Sequence, residues 1–256
     1  MVHNSIAGLL VGILVGLTGM GGASLMAPIL IYVFGIKAKY AIGSDLAYAA
    51  IAKAFGAFQH HRAGTVNMRL VGRLALGSVP ASLAGVWLLN TIDKRNTAEA
   101  QTLVTHLIGG MLVLVALVLI ARTIPQVEAW FARRQKVHKE PSLAVTIAVG
   151  AVGGFLVGLT SIGSGTLFGV ALILLFGLGA KELVGTDIVH GCVLTMAAAW
   201  GHVLVGNVDY PLVGSLLIGA IPGILLGGYF STRMPEQALR PAIGTVLLLS
   251  GLKILL

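Results

Sequence analysis

The stretch LVGLTGMGGASL, residues 14–25, decides how this chain is read. It lies in apolar sequence, yet it carries Gly16, Gly19, Gly21 and Gly22, which a plain membrane helix does not need. Nearly the same words return as LVGLTSIGSGTL at residues 156–167. The offset that joins the two stretches also lays Asp45 on Asp187, Thr18 on Thr160, Lys39 on Lys181 and His60 on His202. Gly21, Gly35, Gly43, Gly64, Gly77 and Gly85 fall on Gly163, Gly177, Gly185, Gly206, Gly219 and Gly227, and Pro80 falls on Pro222. Chance apolar likeness would match leucines, not an Asp, a Lys, a His and a Pro at one spacing. The chain is therefore read as two structural repeats, a construction common among transporters.

Composition sets the solvent. Of 256 residues, 57% are hydrophobic and 10% charged, against about a quarter charged in soluble domains. Too little polar surface exists to face water, so an all-α, polytopic membrane bundle is expected. The net charge of +8 is assigned to cytoplasmic loops rather than to nucleic acid. The lone Cys192 excludes an intrachain disulfide. The start MVHNS lacks a basic region and no A-x-A-like site follows, so no cleaved signal is expected.

The longest polar stretch, RTIPQVEAWFARRQKVHKEP, runs from Arg122 to Pro141. It divides the chain into repeat 1 (1–121), a basic linker (122–141) and repeat 2 (142–256). Arg122, Arg133, Arg134, Lys136 and Lys139 place the linker in the cytoplasm. Trp130 and Phe131 suit an interfacial anchor on a short amphipathic helix. Apolar segments at about 5–19, 22–36, 43–60, 70–90 and 103–121 recur at about 143–161, 164–178, 185–205, 211–230 and 238–256. The first two of each half are short for a span of roughly 20 residues, and the glycine break lies between them. A break that only kinks one span gives parallel repeats; a hairpin gives inverted ones. Loop charge favours inversion. HRAGTVNMRLVGR carries Arg62, Arg69 and Arg73, whereas its counterpart GNVDYP carries Asp209 and no Lys or Arg. Arg233 and Arg240 then also lie inside, and Lys37 and Lys39 lie outside.

Irregular backbone at membrane depth is tolerated only where it is buried or lines a cavity. A helix that restarts after such a break aims free N–H groups and a positive dipole end at that cavity, which suits an anion. Candidate substrate-binding residues are thus Thr18, Gly21, Gly22 and Ser24 from the first break, and Thr160, Gly163, Ser164, Gly165 and Thr166 from the second. Ser161 is a further hydroxyl donor. Two such breaks meeting near the midplane would enclose one anion. The row Gly8, Gly12, Gly16 reads instead as helix packing.

Asp45 and Asp187 are acidic residues at membrane depth, which are functional candidates by default. Each follows Ser44 or Thr186 where a helix is expected to begin, so capping is the competing reading. A carboxylate beside an anion repels it when ionised and donates to it when protonated. That is a chemical basis for coupling anion movement to protons, with His190 one turn from Asp187 and Lys53 on the Asp45 helix as partners. His60 and His202 read as wetted interfacial residues. Asn67, Asp209, Thr65 and Asn207 read as turn residues, and Pro80 and Pro222 as kinks. No G-x-x-x-x-G-K-[ST] occurs, which opposes a self-contained ATP-driven pump. The alternatives are an uncoupled channel and an intramembrane aspartyl enzyme. The latter lacks the G-x-G-D and Y-D motifs, so no catalytic residues are assigned. No metal or cofactor is called for, and a homo-oligomer is left open.

Taken together, GLxGMGG or GLxSxGSG, then FG-x-x-A-K, G-[ST]-D, H-x-x-x-G-x-V-[DN] and G-x-x-P-x-x-x-x-G resemble the TauE/SafE sulfite exporter family. Both halves carry the pattern. The resemblance implies a bundle of inverted repeats in the bacterial inner membrane that moves sulfite, thiosulfate or organosulfonates. Where that family often reads TSL, this chain reads GSDL and GTDI, which puts Asp45 and Asp187 in place of the serine.

Overall fold

The computed structural model describes residues 5–6, 8–10, 12–13, 23–32, 34–95, 98–134, 141–231 and 236–256. The described residues form helices and turns only. Helix α1 spans Ala23–Tyr32, α2 Ala38–Arg62, α3 Met68–Arg95, α4 Ala98–Ala121 and α5 Pro125–Arg134. In the second half α6 spans Leu143–Thr160 and α7 Thr166–Ala171, which runs into a π-helical turn at Leu172–Phe176. Helices α8 (Ala180–Leu204), α9 (Tyr210–Ser231) and α10 (Glu236–Leu255) complete the chain. Among the described residues, five helices are long and apolar enough to cross a membrane: Met68–Lys94, Thr102–Ala121, Leu143–Thr160, Lys181–Leu204 and Tyr210–Gly227.

Small residues set the packing. A Cβ added at Gly150, Gly154 or Gly158 of α6 would collide with the backbone of Leu74, Ser78 or Ser82 on α3. Gly77 and Gly85 of α3 meet Ile147 and Phe155 in return. The two helices thus run in the same direction, backbone against backbone. The same contacts recur between the N-terminal residues and α9: Gly8 meets Leu216, Gly12 meets Ala220, and Gly219 meets Ser5. Gly8 and Gly12 therefore pack as expected; Gly16 lies outside the described residues.

Helices α2 and α8, repeat counterparts, cross antiparallel. Gly43 abuts the carbonyl of Asn207, Gly185 abuts that of Thr65, and Gly56 meets Ile188. Counterparts α4 and α10 are antiparallel as well, with Gly109 against Ile254, Gly251 against Val113 and Gly244 against Ile120. Two loops tie the α2–α8 crossing at its ends. The backbone N–H of Asn67 donates to Thr186 Oγ1, and that of Asp209 donates to Ser44 Oγ, both at 3.0 Å. Asn67 and Asp209 also cap α3 and α9, accepting from the N–H of Leu70 and Leu212. These are the turn roles expected of them, with a second grip added.

Three expectations are corrected. The capping of helix starts by Ser44 and Thr186 fails, because α2 begins at Ala38 and α8 at Ala180. The helix runs through Gly43 and Gly185, whose missing side chains admit a neighbouring carbonyl rather than ending anything. Asp45 and Asp187 therefore sit nearly two turns inside their helices. His202 is not wetted: it is wholly buried, with Nε2 at 3.2 Å from Gly158 O and Nδ1 at 3.4 Å from Asn207 Nδ2. Phe131 does not face outward with Trp130. It is buried under the Arg122 guanidinium, 5.1 Å from its ring centre, while Arg122 holds Glu128 through two 3.1 Å hydrogen bonds. Trp130 stays exposed. Pro80 and Pro222 lie inside α3 and α9 as expected.

Candidate functional site

The second glycine break is a helix end and a helix restart. α6 stops at Thr160, whose hydroxyl donates to Leu156 O and accepts from the N–H of Ile162. Thr160 thus closes the helix end. Ser161 follows in the left-handed conformation at φ 62°, and Gly163 is at φ 100°. Few residues other than glycine take such angles. Gly165 precedes α7 without a side-chain cap. Beyond the break, the Phe168 ring lies against Gly153, on the shaft of α6.

The turn presents two serines to α2. Ser161 Oγ donates to Asp45 Oδ2 at 2.8 Å. Lys53 Nζ donates to Ser164 Oγ at 2.8 Å and to Ser164 O at 3.2 Å. The backbone of Ala27 in α1 also faces the Asp45 carboxylate. Lys53 does not snorkel: it is 8% exposed, beside Asp45 at 0% and Asp187 at 7%. Its ammonium interacts electrostatically with both carboxylates. Gly191 leaves room for this approach: a Cβ there would lie 2.8 Å from Lys53 Nζ and 3.1 Å from Ser164 O.

On the α8 side, His190 Nε2 lies 2.9 Å from Ser78 Oγ on α3, and its ring stacks at 4.5 Å on Phe168. Among the described residues, Asp45 Oδ1, Tyr48 Oη, Thr166 Oγ1, Asp187 Oδ1 and His190 Nδ1 are buried polar atoms without a hydrogen-bond partner, a state that few native interiors tolerate. Among the described residues no hydrogen bond joins the two carboxylates; each faces Lys53. That geometry differs from an aspartyl dyad, in which the carboxyls share a proton directly.

Of the sequence candidates, the structure brings together Asp45, Lys53, Ser161 and Ser164, and sets Asp187, His190 and Thr166 around them. Gly163 and Gly165 shape the turn. Thr18, Gly21 and Gly22 lie outside the described residues, as does the side chain of Ser24. Sequence reasoning missed Ser78 and gave Tyr48 no role. Ser78 carried one usable signal: it is a hydroxyl on the row Leu74, Ser78, Ser82 that α6 glycines touch.

A family profile described as Sulfite exporter TauE/SafE matches residues 5–254. The chain belongs to the TauE/SafE family. It is 42% identical to the probable membrane transporter protein YjnA of Bacillus subtilis (strain 168), over 97% of both chains. It is 29% identical to the probable membrane transporter protein YdhB of the same organism, over 96% of both. A more distant relative is the probable membrane transporter protein MJ0441 of Methanocaldococcus jannaschii, 27% identical over 98% of this chain and 94% of that one. No solved structure matches significantly. This TauE/SafE protein is thus a multi-pass membrane protein of a transporter family.

Proposed function

We propose that the protein is a secondary carrier of small sulfur oxyanions, of the sulfite, thiosulfate or organosulfonate kind, in a cytoplasmic membrane. The observation that carries this reading is the buried ammonium of Lys53, held by Ser164 of the second break between Asp45 and Asp187. An anion entering this centre meets a cation and several donors that have no partner among the described residues, Thr166 Oγ1 included. Asp45 and Asp187 take up or release protons as it passes, which couples its movement to the proton gradient. The family's description as a sulfite exporter is consistent with the cargo class.

In this reading the repeats are inverted. Supporting it, the counterpart pairs α2/α8 and α4/α10 run antiparallel, and glycine contacts recur reciprocally between the halves. The contact of Phe168 with Gly153 supports a hairpin at the second break. The linker and the Arg62–Arg73 loop then face the cytoplasm. Lys39, on the far side, is paired with Asp93 at 2.7 Å.

Uptake of sulfite, thiosulfate, sulfonates and carboxylates into proteoliposomes, with and without a pH gradient at fixed membrane potential, tests the carrier. No flux of any of these anions refutes it; flux that ignores the pH gradient leaves an uncoupled channel. Topology has its own test in a Cys192→Ser background. Tyr210→Cys, at a position 63% exposed, is expected to label only from outside and Arg62→Cys only from the cytoplasm.

A further inference from the structure

The polar centre holds an unequal set of charges. The buried Asp, Lys and Arg side chains among the described residues are Asp45, Lys53, Arg122 and Asp187. Arg122 is matched by Glu128 at the linker. That leaves one cation and two carboxylates in the core. Among the described residues, Lys53 hydrogen-bonds only to neutral oxygens of Ser164. No ion pair within 4.0 Å joins it to Asp45 or Asp187 among the described residues, although both act on it electrostatically.

The other titratable groups do not add a second cation. His190 sits between the Ser78 hydroxyl and the Phe168 ring, with Lys53 as a like-charged neighbour that opposes its protonation. Tyr48 and Cys192 offer neutral donors, the first beside Asp45 and the second beside Lys53. Among the described residues, Lys53 is therefore the one buried cation here that can match an anion.

We propose that this charge set selects a monovalent oxyanion over a divalent one. The inference rests on the carrier reading above and narrows its cargo. Without cargo, Lys53 is balanced by one ionised carboxylate while the other is protonated. A monovalent anion entering with one proton leaves Lys53 matched by the anion and both carboxyls neutral. A divalent anion leaves an unmatched negative charge even when both carboxyls are protonated. A buried charge without a partner is strongly disfavoured. The cargo is then a sulfonate or hydrogen sulfite, and one proton accompanies each anion.

The experiment compares methanesulfonate with sulfate, oxyanions of similar size and different valence, in proteoliposomes of the full chain at one pH. Methanesulfonate is expected to enter at least about tenfold faster, a difference of about 1.4 kcal/mol. Lys53→Arg should keep that preference, and Lys53→Met should lose methanesulfonate flux by a similar factor while eluting as a single species in detergent. Sulfate moving as fast as methanesulfonate overturns the valence selection and leaves anion carriage standing. So does a folded Lys53→Met that transports normally. If sulfite, thiosulfate and acetate also fail to move, anion carriage itself is wrong and the selection falls with it. Should Lys53→Met not fold, the wild-type ratio and Lys53→Arg decide alone.

Discussion

Helices α2 and α8 occupy equivalent places in the two halves, and they are alike at their ends and unlike at their middles. At the ends, Ser44 and Thr186 receive the N–H of Asp209 and Asn67 at equal distances, and Gly43 and Gly185 admit the opposite loop's carbonyl. Toward the middle, Lys53 stands opposite a threonine in the repeat alignment, Thr195, and Tyr48 opposite His190. Thr195 merely bonds its own helix, at Gly191 O and Cys192 O. The joints that hold the crossing leave little room for change, because each needs a small residue or a hydroxyl at a backbone. The centre is lopsided, and the proposed anion site lies there.

If this contrast holds, substitutions in the frame should act in matched pairs and substitutions in the centre should not. The largest effect is expected in the frame. Gly154→Leu and Gly12→Leu each drive a side chain into a neighbouring backbone, at Ser78 and Ala220. Overpacking ordinarily costs about 1–3 kcal/mol, and an immovable backbone puts both variants at the upper end or beyond. Both should lose most of their monodisperse fraction in size-exclusion chromatography, and one tolerated variant of the two would break the symmetry of the frame.

Next come the aspartates. Asp45→Asn and Asp187→Asn should fold and carry anions with a flattened response to a pH gradient. Asp187→Asn should be flatter, because His190 on the same helix face can relay its proton. Unchanged pH response in both single variants and the double variant would remove the coupling role. Ser161→Ala deletes the donor to Asp45. A hydrogen bond to a charged group is worth about 1.5–3 kcal/mol, so the pH midpoint of transport should shift by about 1–2 units, with no counterpart effect in the other half, where Gly19 stands. The smallest and most equal effects belong to the end joints. Ser44→Ala and Thr186→Val each strand one loop N–H, at about 1–3 kcal/mol, and thermal unfolding should fall by similar amounts in the two.

The second break was legible because Ser161-Ile162-Gly163-Ser164-Gly165 cannot continue an apolar helix, and α6 does end at Thr160. The helix starts were not. Gly43 and Gly185 look like breakers in sequence, and only the opposing carbonyls of Asn207 and Thr65 reveal them as contact points. That misreading turned two deeply placed aspartates into apparent caps. His202 was read as wetted because it ends a helix near polar residues; burial against Gly158 depends on a helix distant in the chain. Lys53, Asp45 and Asp187 were legible as costly intramembrane charges. Their arrangement about Ser164 was not, since it depends on how far a turn from the other half reaches across.

The reciprocal glycine contacts also determine where this chain can change length. One residue inserted into a helix rotates everything beyond it by about 100° and advances it by about 1.5 Å. In α3 or α6 that would turn Gly77 and Gly85, or Gly150, Gly154 and Gly158, away from the backbone they touch. In α2 or α8 it would carry Lys53 off Ser164, or Gly191 off Lys53. An insertion or deletion within these helices is therefore expected to cost stability. The helices keep count residue by residue, and an engineered tag belongs outside them.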